Sequence, residues 1–196
     1  MNVAPPRLSP LFRSETQADM LAHLLLNPDR AYTVAELARA SGAPYATVHR
    51  EARRLIDVGL VSTESVGRAV RMRANSRDPA YGPAAELLRL SYGPTAVLPR
   101  VLSEVEGIDQ AYIYGSWAAR RLGSPGDAPG DIDVLVIGNP RRADIYEAAD
   151  VAERRLGREV NIRTVDADEW HSGDNLFLRT VRSGPLVRLD LHRADR

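Results

Sequence analysis

The chain has 196 residues, 44% of them hydrophobic and 27% charged, and its 26 acidic residues balance 26 basic ones, for a formal net charge of zero. This suits one ordinary domain or two small ones with a packed core, excludes wholesale disorder, and requires any nucleic-acid binding to come from local patches. The absence of cysteine excludes a disulfide scaffold, thiol catalysis and a zinc–thiolate site, and with no membrane-length apolar run and no signal-peptide layout in "MNVAPPRLSP" the expected location is the cytoplasm, with no membrane partner.

After a Pro-rich leader over 1–13, "SETQADMLAHLLLNPDR" predicts a helix. Ser14 with Gln17 three residues on forms a capping box, Met20, Leu21, Leu24 and Leu25 fall on one stripe, and Asn27-Pro28 ends the run. "YTVAELARASG" repeats the design, with Thr33 as N-cap, Glu36 at the third helical position and Gly42 as terminator. A third helix follows in "APYATVHREARRLIDVGL", with Val48, Ala52, Leu55 and Ile56 facing inward and Gly59 as stop. "VSTESVGRAVRMRAN" then reads as two short strands around Val66-Gly67, the second alternating Val70 and Met72 with Arg71 and Arg73.

Three helices, a tight turn and a basic hairpin in this order resemble the winged helix-turn-helix of small bacterial regulators, over a domain placed at 14–77. The resemblance implies that the third helix offers Tyr45, Thr47, His49, Arg50, Arg53 and Arg54 to a DNA major groove, while the wing arginines Arg68, Arg71 and Arg73 meet phosphate or the minor groove. Across 42–77, seven arginines stand against Glu51, Asp57 and Glu64, a local charge of +4. The competing reading is a protein-contact module whose arginines are an ordinary solvated face.

A connector over 78–94 is expected to be helical in two pieces, punctuated by Gly82-Pro83 and Gly93-Pro94, with Leu87, Leu88 and Leu90 apolar enough to pack on something. From 95 the pattern runs helix, strand, helix, strand, helix, strand, through "VLPRVLSEVEG", "QAYIYGS", "WAARRLG", "DIDVLVIG", "RADIYEAADVAERRLG" and "EVNIRTV", closing with a helical "DNLFLRTVRSG" and a last run "PLVRLDL".

The chemistry concentrates in "YIYGS" and "DIDVLVIG". Gly115 lets backbone come close to a ligand, Ser116 adds a hydroxyl donor, and the helix beginning there offers free N–H groups to an anionic oxygen. Asp131 and Asp133, one residue apart on a strand, point to the same face. Two such carboxylates repel unless a hard cation sits between them, and Mg²⁺ (or Mn²⁺) is the natural occupant.

A hydrophobic strand, Gly-Ser, a spacer and an Asp-x-Asp strand resemble the DNA polymerase beta nucleotidyltransferase superfamily, in its minimal prokaryotic form, over roughly 95–190 of a domain placed at 95–196. The resemblance implies Asp131 and Asp133 as catalytic metal ligands and Gly115, Ser116 and Arg120 as nucleotide-binding or phosphate-binding residues. It also implies an NTP as substrate and an RNA or protein hydroxyl as acceptor, as in toxin-like and antitoxin-like relatives. The alternative is a turn at Gly115-Ser116 and aspartates that merely solvate a strand end.

Two features depart from that superfamily. The spacer of 14 residues, 117–130, is long, with "GSPGDAPG" as the insertion. The position of the usual third carboxylate holds Asn161, which can neither act as a base nor match a carboxylate as metal ligand. Glu159 lies two residues earlier on the same strand face and is the candidate substitute, with Asp166 and Asp168 behind it. Every basic residue is arginine, so no lysine serves as a phosphate ligand. Trp117 is read as core, Trp170 has no assigned role, and His23, His49, His171 and His192 are too scattered to suggest a metal site.

The sequence thus predicts a two-domain α/β protein: an N-terminal winged helix-turn-helix and a C-terminal α+β nucleotidyltransferase fold with a small mixed sheet. One functional reading is a DNA-binding regulator that binds NTP and Mg²⁺ and transfers a nucleotidyl group. The other is a non-catalytic transcription factor whose C-terminal domain senses nucleotide or mediates contacts. Partners are double-stranded DNA, NTP, an RNA or protein acceptor, and a second copy of the chain as a homodimer.

Overall fold

The computed structural model describes residues 8–172 and 175–191; the first part of the leader, Asp174 and His192 lie outside the described residues. The chain divides into two compact units, one extending from the N-terminal region to Ala96 and taking in Arg155–Gly157, the other made of Val97–Arg154 and the chain from Arg158 on.

After a 3-10 turn at Ser9–Leu11, the first unit continues with α1 (Glu15–Leu25), α2 (Val34–Ser41) and α3 (Tyr45–Asp57). Each expected cap at the first two helices is present, with one difference. The Ser14 hydroxyl accepts from the Gln17 amide at 3.1 Å, but the Gln17 side chain turns back one residue further and accepts from Arg13 N–H. At α2 the box is reciprocal: Glu36 carboxylate takes the Thr33 N–H at 2.7 Å while the Thr33 hydroxyl takes the Glu36 N–H at 3.2 Å. A cap of this kind stabilises a helix by about 1 kcal/mol. Gly42, at φ 64°, ends α2 in the left-handed conformation that lets α3 start three residues later. Met20, Leu24, Leu25, Leu37, Val48, Ala52 and Leu55 form the core between these helices, and Ile56 packs half-buried against it.

β1 (Val61–Val66) and β2 (Ala69–Ala74) form an antiparallel hairpin whose two-residue loop begins at Gly67, at φ 61°. The expected inward alternation of β2 is displaced. Met72 and Ala74 are buried, whereas Val70 is 57% exposed, because the hairpin projects beyond the core at that point. The hairpin is tied down by Tyr32, which exchanges two backbone hydrogen bonds with Met72 at 2.7 and 2.8 Å.

The connector breaks at Gly93-Pro94 as expected, between α4 and a helix that starts at Pro94, but not at Gly82-Pro83. α4 (Tyr81–Tyr92) is a single helix, with Gly82-Pro83 inside its first turn, where backbone N–H groups have no intrahelical acceptor to lose. Ala85, Leu88 and Tyr92 join the core of the first unit, and the Tyr81 hydroxyl donates to the Leu25 carbonyl at 3.2 Å. Leu87 and Leu90 stay exposed, so of the three leucines only Leu88 packs.

After α5 (Pro94–Leu102), the second unit builds a four-stranded mixed sheet from β3 (Ile108–Tyr114), β4 (Asp131–Gly138), β5 (Glu159–Val165) and β6 (Val187–Leu189), in the order β5-β4-β3-β6. β3 runs antiparallel to β4 and β6, and β4 runs parallel to β5. α6 (Gly115–Arg121) follows β3 directly, and α7 (Arg142–Leu156) makes the crossover that a parallel β4–β5 pair requires. One face of β3 and β4 carries Ala111, Ile113, Ile132, Val134 and Val136, all fully buried. The other carries Leu135 and Ile137, covered by α8 (Ala167–Ser172) and α9 (Leu176–Ser183) through Ala167, Trp170, Leu178 and Val181. α8 has no expected counterpart in the sequence; Asp166 caps it by accepting from the Glu169 N–H at 2.6 Å.

Candidate functional site

In the first unit, α3 turns Val48, Ala52 and Leu55 inward and leaves Tyr45, His49, Arg50, Arg53 and Arg54 exposed, with Thr47 half-buried. Tyr45, His49 and Arg53 recur every four residues and so share a face. The Tyr45 and His49 rings stack at 6.1 Å with an interplanar angle of 20°. A groove of about 440 Å³ separates this face from the hairpin, and Tyr45, His49, Arg53, Arg68 and Val70 are among its lining residues.

The arginines fall into two groups. Arg50, Arg53 and Arg68 are exposed and make no ion pair or side-chain hydrogen bond among the described residues. Arg54, Arg71 and Arg73, expected with them at the DNA surface, are engaged within the protein. Arg54 pairs with Glu51 at 2.5 Å, Arg73 with Glu64 at 3.0 Å, and Arg71 donates to the Ala31 carbonyl at 2.6 Å with Glu36 at 3.7 Å. Glu51 itself is buried, at 8% exposure, and also accepts from Gln17 of α1 at 3.4 Å. In sequence Glu51 is only a local negative charge; its place one turn from Leu55 on the inward side of α3 is the signal of its burial.

In the second unit, Gly115 and Ser116 open α6 at the end of β3, Ser116 exposed. Gly115 has φ 71°, and a Cβ built there would lie 2.5 Å from Asp133 Oδ2. The glycine is therefore required twice, for its backbone conformation and for its approach to a carboxylate. Asp131 and Asp133 are both half-buried, on the face that continues into Leu135 and Ile137. In register across the sheet, Asp133 lies between Tyr114 and Asn161, and Asp131 beside Glu159.

The Asn161 amide donates to Asp131 Oδ2 at 3.1 Å. Burial, and then the charge of Asp131, push the Asp133 carboxyl above its ordinary pKa, against a hydrogen bond from Asn161 that pulls it down. Tyr114 is raised in turn, by burial first and then by Asp133. The oxygen donors of the pair suit a hard cation, which would relieve the repulsion. Among the described residues no group of three or more His, Cys, Asp or Glu side chains could hold a metal ion. Glu159, exposed, thus does not join the two aspartates as a third ligand, and a cation here would need further oxygens from a substrate.

Arg120, expected at a phosphate, is engaged with its own loop. Its Nε donates to the Asp127 carbonyl at 3.2 Å and its Nη1 to the Ser124 carbonyl at 3.0 Å, bracing the Gly/Pro loop. Buried Arg158 also donates into that loop, to the Pro129 carbonyl. Trp117 is half-buried beside buried Ala118. Trp170 stacks on Tyr112 at 5.7 Å and lies under the Arg182 guanidinium at 4.3 Å. Arg163 and Phe177, which sequence reasoning passed over, stack at 3.8 Å on the face shared with Asp131 and Asp133.

Residues 19–65, from α1 into β1, match the IclR helix-turn-helix domain. No curated protein and no solved structure matches the chain. The chain carries a helix-turn-helix DNA-binding region of the kind found in transcription regulators. No described helix is long and apolar enough to cross a membrane.

Proposed function

We propose that this protein is a DNA-binding transcription regulator that reads duplex DNA with α3 and the hairpin of its first unit and binds a nucleoside triphosphate with Mg²⁺ in its second. The observation that carries the DNA assignment is the exposed set Arg50, Arg53 and Arg68, unpaired among the described residues, around stacked Tyr45 and His49, with α3 inside the stretch similar to the IclR helix-turn-helix. In this account α3 enters the major groove, where Tyr45 and His49 reach base edges, and the three arginines fix its register on phosphates. Duplex binding measured on the wild type and on Arg50→Ala/Arg53→Ala/Arg68→Ala tests it.

The nucleotide site rests on the nucleotidyltransferase resemblance, on a β3–α6–β4–α7–β5 order with parallel β4 and β5, and on the Gly115–Asp133 approach. Asp131 and Asp133 would hold the cation, which supplies charge neutralisation at the phosphates. Gly115 leaves the space in which Asp133 stands, and Ser116 offers its hydroxyl to a phosphate oxygen. Transfer to an RNA or protein hydroxyl would also need a group to accept the hydroxyl proton. Asn161 cannot take it, and Glu159 is not grouped with the pair. The favoured activity is therefore nucleotide binding with weak or no transfer, a sensing role. Calorimetry with NTP, with and without Mg²⁺, on the wild type and on Asp131→Asn/Asp133→Asn tests the site; the account expects Mg²⁺-dependent affinity that the double variant loses.

A further inference from the structure

We propose that Arg163, placed over the ring of Phe177 on the face of the Asp131–Asp133 pair, grips the phosphates of a nucleoside triphosphate complexed with a divalent cation. The inference rests on the reading of this sheet end as a nucleotide site, and it names a binding residue that the motifs do not contain.

Register places the residue. On parallel strands β4 and β5, Asp131 pairs with Glu159, Asp133 with Asn161 and Leu135 with Arg163, so Arg163 stands on the aspartate face one step beyond Asn161. Its guanidinium carbon lies 3.8 Å from the centroid of Phe177. Phe177 meets Tyr114 edge-on at 5.7 Å, and Tyr114 is in register with Asp133. A cation, an aromatic shelf and a carboxylate pair thus occupy one face. Tyr114, whose pKa burial raises most, also feels all three charges: Asp133 and Asp131 raise it and Arg163 lowers it.

Arg163 is exposed, and among the described residues it makes no ion pair and no hydrogen bond, with either aspartate or any other group. Its place over the ring restrains the side chain and its five N–H donors have no partner among the described residues, so less rotamer freedom is lost on binding. The two carboxylates favour a hard cation and the guanidinium favours an anion. A polyphosphate chelating a divalent cation carries both charges to the same face, whereas a phosphate without metal meets the repulsion of the aspartates. Arg120, the phosphate ligand implied by the motif, is engaged with its own loop, and the chain has no lysine to take the part.

The test is calorimetry in Mg²⁺ with ATP, GTP, inorganic tripolyphosphate and the phosphate-free nucleosides adenosine and guanosine, on the full-length wild type, Arg163→Met and Arg163→Lys, with melting temperatures to compare folding. Arg163→Met keeps an apolar stem against Phe177. It is expected to weaken the triphosphates and tripolyphosphate by about tenfold to a hundredfold, the size of a lost charged hydrogen-bonding partner. Arg163→Lys, with the charge but not the planar fork, is expected to fall between. Equal triphosphate affinity in wild type and Arg163→Met would overturn the assignment of Arg163 and leave the nucleotide site standing. An equal loss for the nucleosides would overturn it too, because the residue would then hold the base or the fold. Absence of triphosphate binding by the wild type would overturn the nucleotide site and this inference together.

Discussion

Asn161 donates its side-chain amide to Asp131 across the β4–β5 ladder at 3.1 Å, from the position that lies in register with Asp133. A neutral amide thus bridges toward two carboxylates at a point where a third carboxylate would add charge and a proton acceptor. That contact holds Asp131 from the position where a third carboxylate would stand.

Restoring the acid should therefore create activity. With labelled NTP, Mg²⁺ or Mn²⁺ and total cell RNA and protein as acceptors, the wild type is expected to transfer little or no label. Asn161→Asp is expected to raise transfer, by up to about 10²–10⁴-fold if the new carboxylate is well placed as a base. Robust wild-type transfer that Glu159→Gln removes would instead make Glu159 the base.

The strain between the two aspartates should be visible in stability. Because the folded pKa of Asp133 is raised above its unfolded value, by burial first and Asp131 second, the folded state holds the proton more tightly than the unfolded chain. Stability is then present at acid pH and is lost as pH rises through the raised folded pKa. Asp133→Asn, which cannot ionise, is expected to melt at a higher temperature than wild type at pH 7, with the difference shrinking toward pH 4. A variant that melts lower at pH 7 would contradict this.

At Gly115 the same carboxylate sets a steric limit. Gly115→Ala forces a side chain into φ 71° and against Asp133 Oδ2 at 2.5 Å. The expected cost is about 1–3 kcal/mol in denaturant unfolding, together with loss of Mg²⁺-dependent NTP binding as the carboxylate is displaced. Unchanged stability and binding would mean that the Gly-Ser turn has slack.

The elements that repeat within a few residues were legible in the sequence. The Met20–Leu25 stripe, the Thr33–Glu36 box, the Gly42 and Gly67 turns and the Asp131/Asp133 spacing all depend on local period or on a single glycine, and all are present. The misplaced features depend on partners far along the chain. Arg71 looked like a free wing cation because nothing nearby in sequence announces that the Ala31 carbonyl and Glu36 will meet it. Val70 and Leu90 are apolar residues that tertiary packing leaves outside, and Glu51 is a charge that packing draws in. Arg163 gains meaning only from Phe177, which arrives on α9 after an intervening helix.

The central claim, that the first unit reads DNA through Arg50, Arg53 and Arg68, is tested most directly by the salt dependence of duplex binding. Each phosphate contact contributes about 0.9 to the slope of log affinity against log salt. The account predicts that Arg50→Ala/Arg53→Ala/Arg68→Ala reduces that slope by about 2–3 and weakens binding across sequences. It also predicts that Arg54→Ala/Arg71→Ala/Arg73→Ala changes the slope less and lowers the melting temperature more, because these arginines hold Glu51, Ala31 and Glu64. An unchanged slope in the first triple variant, or no salt-dependent duplex binding by the wild type, would contradict it.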